Sequence, residues 1–269
     1  MPKVYINGVN LHYEVSGIGP CVVLCHGYPA SHQVWMFQIP VLSQNYQVVT
    51  MDHRGHGSSD APSSADDYSF SIFANDVRDL IEYLGITRCC LVGHSMGGYI
   101  ALRVALDSPS LISSLVLVGT SSGRIDILEY AELRARLGEI ARRDGMEAVF
   151  EYTAQHHPLY QRRLEKYPEL REIFKRRTIE TPVNGYIYTG QVMAQWPNLT
   201  DRLGEISMPT LVVVGEEDDP LRQPAEIIVK GVPNARLHVV PQAAHSPQEE
   251  RAEAFNALLL GFLAELEST

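Results

Sequence analysis

Residues 93–98 read GHSMGG, set between the apolar run RCCLV (88–92) and the helical pattern YIALRVAL (99–106). Gly93 and Gly97 flank Ser95 two positions on either side, giving G-x-S-x-G. On a tight turn from strand to helix the serine would hold an unfavourable backbone conformation. Side chains two residues away would then collide unless they are absent. Gly98 allows the new helix to pack closely, and the helix start points backbone N–H groups at developing negative charge. Short glycine-rich patterns arise by chance, so the weight lies in the context of a strand before and a helix after. The stretch therefore predicts one β-to-α junction and one exposed serine hydroxyl.

Working outward, KVYIN and LHYEVS flank the turn residues Asn7 and Gly8 and predict a β-hairpin. Six further apolar runs have the look of buried parallel strands: CVVLC (21–25), YQVVTM (46–51), RCCLVG (88–93), SSLVLVG (113–119), TLVVVG (210–215) and ARLHVV (235–240). Helical patterns lie between most of them, which implies a parallel sheet covered by helices on both faces. The alternation breaks once. Between Thr120 and Ile206 the pattern is helical throughout, starting with RIDILEYAELRARLGEIARRDG from Arg124. A stretch of about 85 residues is too long for a loop. The expected organisation is a core of residues 1–120 and 206–269, with residues 121–205 as a helical cap.

A serine is a poor nucleophile at neutral pH and needs a base within hydrogen-bond reach. Of ten histidines, His245 in VVPQAAHSPQEE follows the last predicted strand and is the candidate base. His94 adjoins Ser95 but points to the opposite face, so its role is structural. The orienting carboxylate should come from TLVVVGEEDDP, with Asp218 as the candidate. The oxyanion donors would be the backbone N–H of Met96 and that of Tyr28 in the HGYP loop, where Gly27 permits close approach.

Composition excludes several classes. With 45% hydrophobic and 20% charged residues the chain is ordinary for a globular protein. A net charge of −10 would repel phosphate backbones, so no nucleic-acid partner is expected. The N-terminal stretch lacks the apolar core of a signal peptide, and no apolar run approaches the roughly 20 residues of a membrane span. A cytoplasmic setting without membrane contact is expected; a homodimer is left open. Cys21, Cys25, Cys89 and Cys90 lie in apolar runs and read as buried free thiols. With no C-x-x-C or H-E-x-x-H pattern, no metal site is expected.

Taken in order, HGYP, DHRGHGSSD (52–60), GHSMGG, GEEDDP and AAHSPQEE resemble the α/β-hydrolase superfamily over nearly the whole core. The resemblance implies an α/β fold with an eight-stranded, mostly parallel sheet, antiparallel only at its second strand, and a helical cap after the sixth. It makes the two cysteine-bearing strands neighbours, and gives Asp52, Arg54 and Gly57 an architectural role behind the site. His53 and His56 receive no catalytic role. Relatives that open epoxides or displace halide carry aspartate at the nucleophile; Ser95 instead favours attack at a carbonyl.

The chain is similar to capped bacterial carboxylesterases and enol-lactonases, so the expected reaction is cleavage of a small ester or lactone through an acyl-enzyme, without a cofactor. The alternatives are hydrolysis of a carbon–carbon bond in a vinylogous 1,5-diketone, acyl transfer to another acceptor, and a ligand receptor of the same fold. Expected pocket residues are Trp35, Arg124, Tyr152, Tyr188, Met193 and Trp196. Residues 161–177 carry seven Lys/Arg and three Glu. That is a solvated basic face or an attractor of an anionic substrate. His156 and His157 are adjacent and diverge, so they share no metal.

Overall fold

Asn7 and Gly8 adopt φ of 49° and 82°, the left-handed pair that a two-residue hairpin turn demands. The turn joins β1 (Lys3–Ile6) to β2 (Val9–Ser16) with Ile6 opposite Val9. The computed structural model describes residues 2–124 and 128–267, with the side chains of 128–131 left aside. The remaining apolar runs form β3 (Cys21–Cys25), β4 (Gln47–Met51), β5 (Cys89–His94), β6 (Ile112–Val118), β7 (Thr210–Gly215) and β8 (Ala235–Val240). They make one eight-stranded sheet in the order β1-β2-β4-β3-β5-β6-β7-β8. Strand β2 runs antiparallel to both neighbours and every pair from β4 to β8 is parallel.

Helices cover both faces. α1 (Ile39–Leu42), α2 (Phe70–Tyr83), α3 (Met96–Asp107), α8 (Asp219–Gly231), α9 (Pro247–Glu250) and α10 (Ala252–Glu267) belong to this layered core. On one face Val23, Leu91 and Leu115 pack with α2, α3 and α8; on the other Val22, Val92 and Val116 pack with α10. Both faces being buried is why the central strands β3 to β7 are apolar along their length rather than alternating. Cys21 and Cys89 are register partners on β3 and β5, and all four cysteines are free. Burial pushes the thiols of Cys21, Cys25 and Cys90 up to about 12, so they resist becoming thiolates.

Between β6 and β7 lie α4 (Leu128–His156), α5 (Pro158–Lys166), α6 (Arg171–Glu180) and α7 (Val183–Ala194). Of the helical pattern that opens at Arg124, residues 125–127 lie outside the described residues. Gly145, at φ 83° and ψ −179°, breaks α4 where the sequence pattern also breaks. The insertion has its own small cores and docks through α7. Tyr28 Oη donates to the Tyr186 carbonyl at 2.9 Å, and a side chain at Gly185 would overlap the Gly55 carbonyl.

Most of the basic charge of 161–177 is paired. Arg163 and Arg177 meet Glu249, Lys166 meets Glu217, Arg171 and Lys175 meet Glu151, and Arg176 meets Glu180. Little of it is left to attract a substrate.

Candidate active site

Ser95 stands between β5 and α3 at φ 54° and ψ −117°, a conformation L-residues avoid. The neighbouring glycines make it tolerable. A Cβ on Gly93 would overlap the Gly97 carbonyl, and one on Gly97 would lie 2.5 Å from the carbonyl oxygens of Cys25 and His26. Two hydrogen bonds pin the turn: Ser95 N–H donates to Val118 O at 2.8 Å, and Thr120 Oγ1 donates to Ser95 O at 2.7 Å. The strain is held in place by packing around the loop rather than by the pentapeptide alone.

Three strand ends converge on the serine. His245, on the loop after β8, places Nε2 3.1 Å from Ser95 Oγ. Its Nδ1 lies 2.9 Å from Oδ2 of Asp218, buried at the start of α8. With Nδ1–H donating to the carboxylate, Nε2 is left as acceptor for the serine hydroxyl. Burial disfavours the imidazolium, but the charge and hydrogen bond of Asp218 outweigh it and raise the His245 pKa. His94 donates through Nε2 to the His245 carbonyl at 2.9 Å, and burial holds its own pKa well below the usual value. The backbone N–H groups of Tyr28 and Met96 donate to no acceptor among the described residues.

Buried acids and arginines that no sequence motif marks hold the histidine loop in place. Glu250 accepts from the N–H groups of Ala244 (2.5 Å) and Ser246 (3.2 Å), clamping the residues on either side of His245. Arg163 of α5 reaches Glu250 at 2.7 Å and Glu249 at 3.0 Å, and Arg177 of α6 reaches Glu249 at 2.7 Å. The insertion is thus tied by buried ion pairs to the histidine loop. Nothing local announces this, because the arginines lie more than seventy residues upstream of the acids.

The model of the alpha/beta hydrolase fold family matches residues 20–252. The chain belongs to the α/β-hydrolase family. A Bacillus subtilis (strain 168) protein provisionally named 2-succinyl-6-hydroxy-2,4-cyclohexadiene-1-carboxylate synthase is 29% identical, over 95% of this chain and 96% of its own. The 2-hydroxy-6-oxononadienedioate/2-hydroxy-6-oxononatrienedioate hydrolase of Paraburkholderia xenovorans (strain LB400) is 29% identical, over 95% of this chain and 91% of its own. Among solved structures, the enol-lactonase from Burkholderia xenovorans LB400 superposes with a TM-score of 0.87 at 26% identity, covering 98% of this chain and 100% of that one.

In this α/β-hydrolase a cavity of about 550 Å³ lies over Ser95 and His245, between the sheet and the insertion. That is within the range of small-molecule sites. Arg124, Met193 and Trp196 line it, with Leu133, Leu137 and Phe174. Three expected pocket residues do not. Trp35 is wholly buried, because the turn that carries it folds back beneath the sheet to pack against Phe255. Tyr152 stacks on His156 with centroids 3.9 Å apart, one helical turn along α4. Tyr188 points to the core's rim and donates to Ser63 O at 3.0 Å. Arg134, which no sequence motif marks, lines the cavity and pairs with no carboxylate among the described residues; burial lowers its pKa.

Proposed function

We propose that this α/β-hydrolase cleaves a small carboxylic ester or lactone through an acyl-enzyme on Ser95. The observation that carries the reading is the hydrogen-bonded chain from Ser95 Oγ to His245 Nε2 (3.1 Å) and from His245 Nδ1 to Asp218 Oδ2 (2.9 Å). Ser95 attacks the carbonyl carbon as His245 takes its proton, and Asp218 stabilises the resulting imidazolium. The backbone N–H groups of Tyr28 and Met96 receive the oxyanion; one such donor is worth roughly 10²–10³ in rate. His245 then protonates the leaving oxygen, activates water, and the acyl group departs as a carboxylic acid.

The nucleophile also argues against the epoxide as substrate. Serine opening an epoxide would leave an ether that water does not cleave, whereas a carbonyl gives a hydrolysable ester. A largely apolar cavity, with the Arg134 guanidinium meeting no carboxylate among the described residues, suits a compact apolar substrate carrying one anionic or strongly polar group at Arg134. The carbon–carbon reading draws its support from the Paraburkholderia relative.

The test is turnover of p-nitrophenyl esters of increasing chain length, several lactones and a ring-cleavage dienoate, with Ser95→Ala alongside wild type. We expect esters or lactones to be hydrolysed and the Ser95→Ala rate to fall by at least about 10³-fold. Consumption of the dienoate alone would transfer the assignment to the carbon–carbon reaction. Ester turnover that survives Ser95→Ala would overturn the mechanism.

A further inference from the structure

Away from the cavity, a cluster of imidazoles and carboxylates sits where β2 meets the loop after β3. His12 and Glu14 are two residues apart on β2 and share one face of the strand. His32 reaches them from the turn that follows the Tyr28 loop. Asp52, at the end of β4, lies behind both rings and is fully occupied. Its Oδ1 accepts from the His32 N–H (2.7 Å) and His32 Nδ1 (2.9 Å); its Oδ2 accepts from His12 Nδ1 (2.9 Å) and the Ser58 N–H (2.9 Å).

One carboxylate receiving Nδ1–H from two imidazoles fixes both tautomers, leaving a lone pair on each Nε2. Both Nε2 atoms lie near one carboxylate oxygen. Glu14 Oε1 lies 3.7 Å from His12 Nε2 and 3.9 Å from His32 Nε2, beyond hydrogen-bonding distance for either. His12 is wholly buried, and its Nε2 has no hydrogen-bond partner. A buried acceptor that meets no protein donor is a costly arrangement unless a proton or a cation completes it.

We propose that His12 Nε2, His32 Nε2 and the Glu14 carboxylate bind a divalent cation of the zinc class, with water as the fourth ligand. Two ligand atoms of a tetrahedral zinc, each about 2.0–2.1 Å from the metal, stand about 3.3 Å apart. The two separations to Glu14 Oε1 have to close by about 0.4 and 0.6 Å, and the two ring nitrogens have to come to the same spacing. Two imidazoles and one carboxylate suit zinc or cobalt better than magnesium or calcium, which take oxygen ligands. Asp52 supplies the carboxylate–histidine–metal geometry in which the far ring nitrogen is held by an acid. Glu14 is partly exposed, giving the ion a way in, and the charge of Glu180 on α6 also acts on His32. The ion takes no part in the chemistry at Ser95. It would tie the loop that carries Tyr28 to the antiparallel edge of the sheet.

The test uses the full chain after chelator treatment. Zinc is titrated by calorimetry and cobalt by visible absorption, on wild type, Glu14→Gln and His32→Asn, with thermal unfolding of each metal-free protein as a check of folding. We expect one ion per chain, the intense visible bands of tetrahedral cobalt, and a zinc-dependent rise in Tm. Each variant should weaken zinc binding by roughly 10–100-fold. No saturable binding to the wild type, or unchanged affinity in either folded variant, would overturn the proposal.

Discussion

At the scale of single residues, the proposed reaction makes the protonation of His245 govern what Ser95 can do. Only the neutral imidazole can take the serine's proton, so activity falls as pH drops through the His245 pKa. Burial alone would lower that pKa, but Asp218 raises it above the ordinary imidazole value. The acid limb of a kcat/KM profile should therefore have its midpoint above about 6.5. A midpoint below 6 would mean that Asp218 does not act on His245 as the 2.9 Å contact implies. Ser95 itself was legible because its strained backbone demands small residues at fixed offsets, and such demands are written in sequence. Trp35 and Tyr188 were misjudged for the opposite reason. An aromatic side chain serves a core and a pocket equally well, and only the path of the backbone decides which.

At the scale of elements, the coupling between α5, α6 and α9 carries the most consequence for the site. Glu250 is wholly buried, holds the N–H groups on both sides of His245, and pairs with Arg163. Removing Glu250 takes one of two carboxylates from the buried Arg163 guanidinium and leaves the Ala244 and Ser246 N–H groups without their acceptor, a loss of about 3 kcal/mol. Glu250→Ala should lower the stability measured by urea unfolding by that order, and should reduce kcat more than it changes KM. A variant as stable and active as wild type would show that the clamp is incidental. Alternating apolar runs and glycine punctuation made all eight strands visible in the sequence. The ion pairs were not, because they join residues remote in the chain through surfaces that appear only after folding. The basic run at 161–177 shows how far charge counting reaches: it located a cationic helix face but not the acids that neutralise it.

At the scale of the whole molecule, the core carries an unusual load of neutral histidine. His26, His53 and His56 are wholly buried with ring centroids 4.5 and 5.2 Å apart around His26. Burial pushes His56 down to about 4, and burial with repulsion from neighbouring rings pushes His53 down to about 3 and lowers His26 strongly. The unfolded chain binds these protons near pH 6.5 while the folded core refuses them. Stability is thus complete above that value and lost as pH falls from 6.5 towards 4. Each histidine contributes a slope of about 1.4 kcal/mol per pH unit. Acid unfolding followed by circular dichroism should begin near pH 6 and finish well above pH 3. A stability that stays level from pH 7 to 4.5 would contradict this. The DHRGHG stretch was recognised as architectural, but its acid sensitivity depends on His26 from another strand end, which spacing does not reveal.

The central claim is that Ser95 is an activated nucleophile, and the most direct measurement is covalent labelling with an alkyl fluorophosphonate followed by peptide mapping by mass spectrometry. The account predicts one label per chain on the peptide containing Ser95, abolished by Ser95→Ala and slowed by at least about 10²-fold in His245→Ala. A folded wild-type protein that stays unlabelled, or a label carried by any other residue, would contradict it.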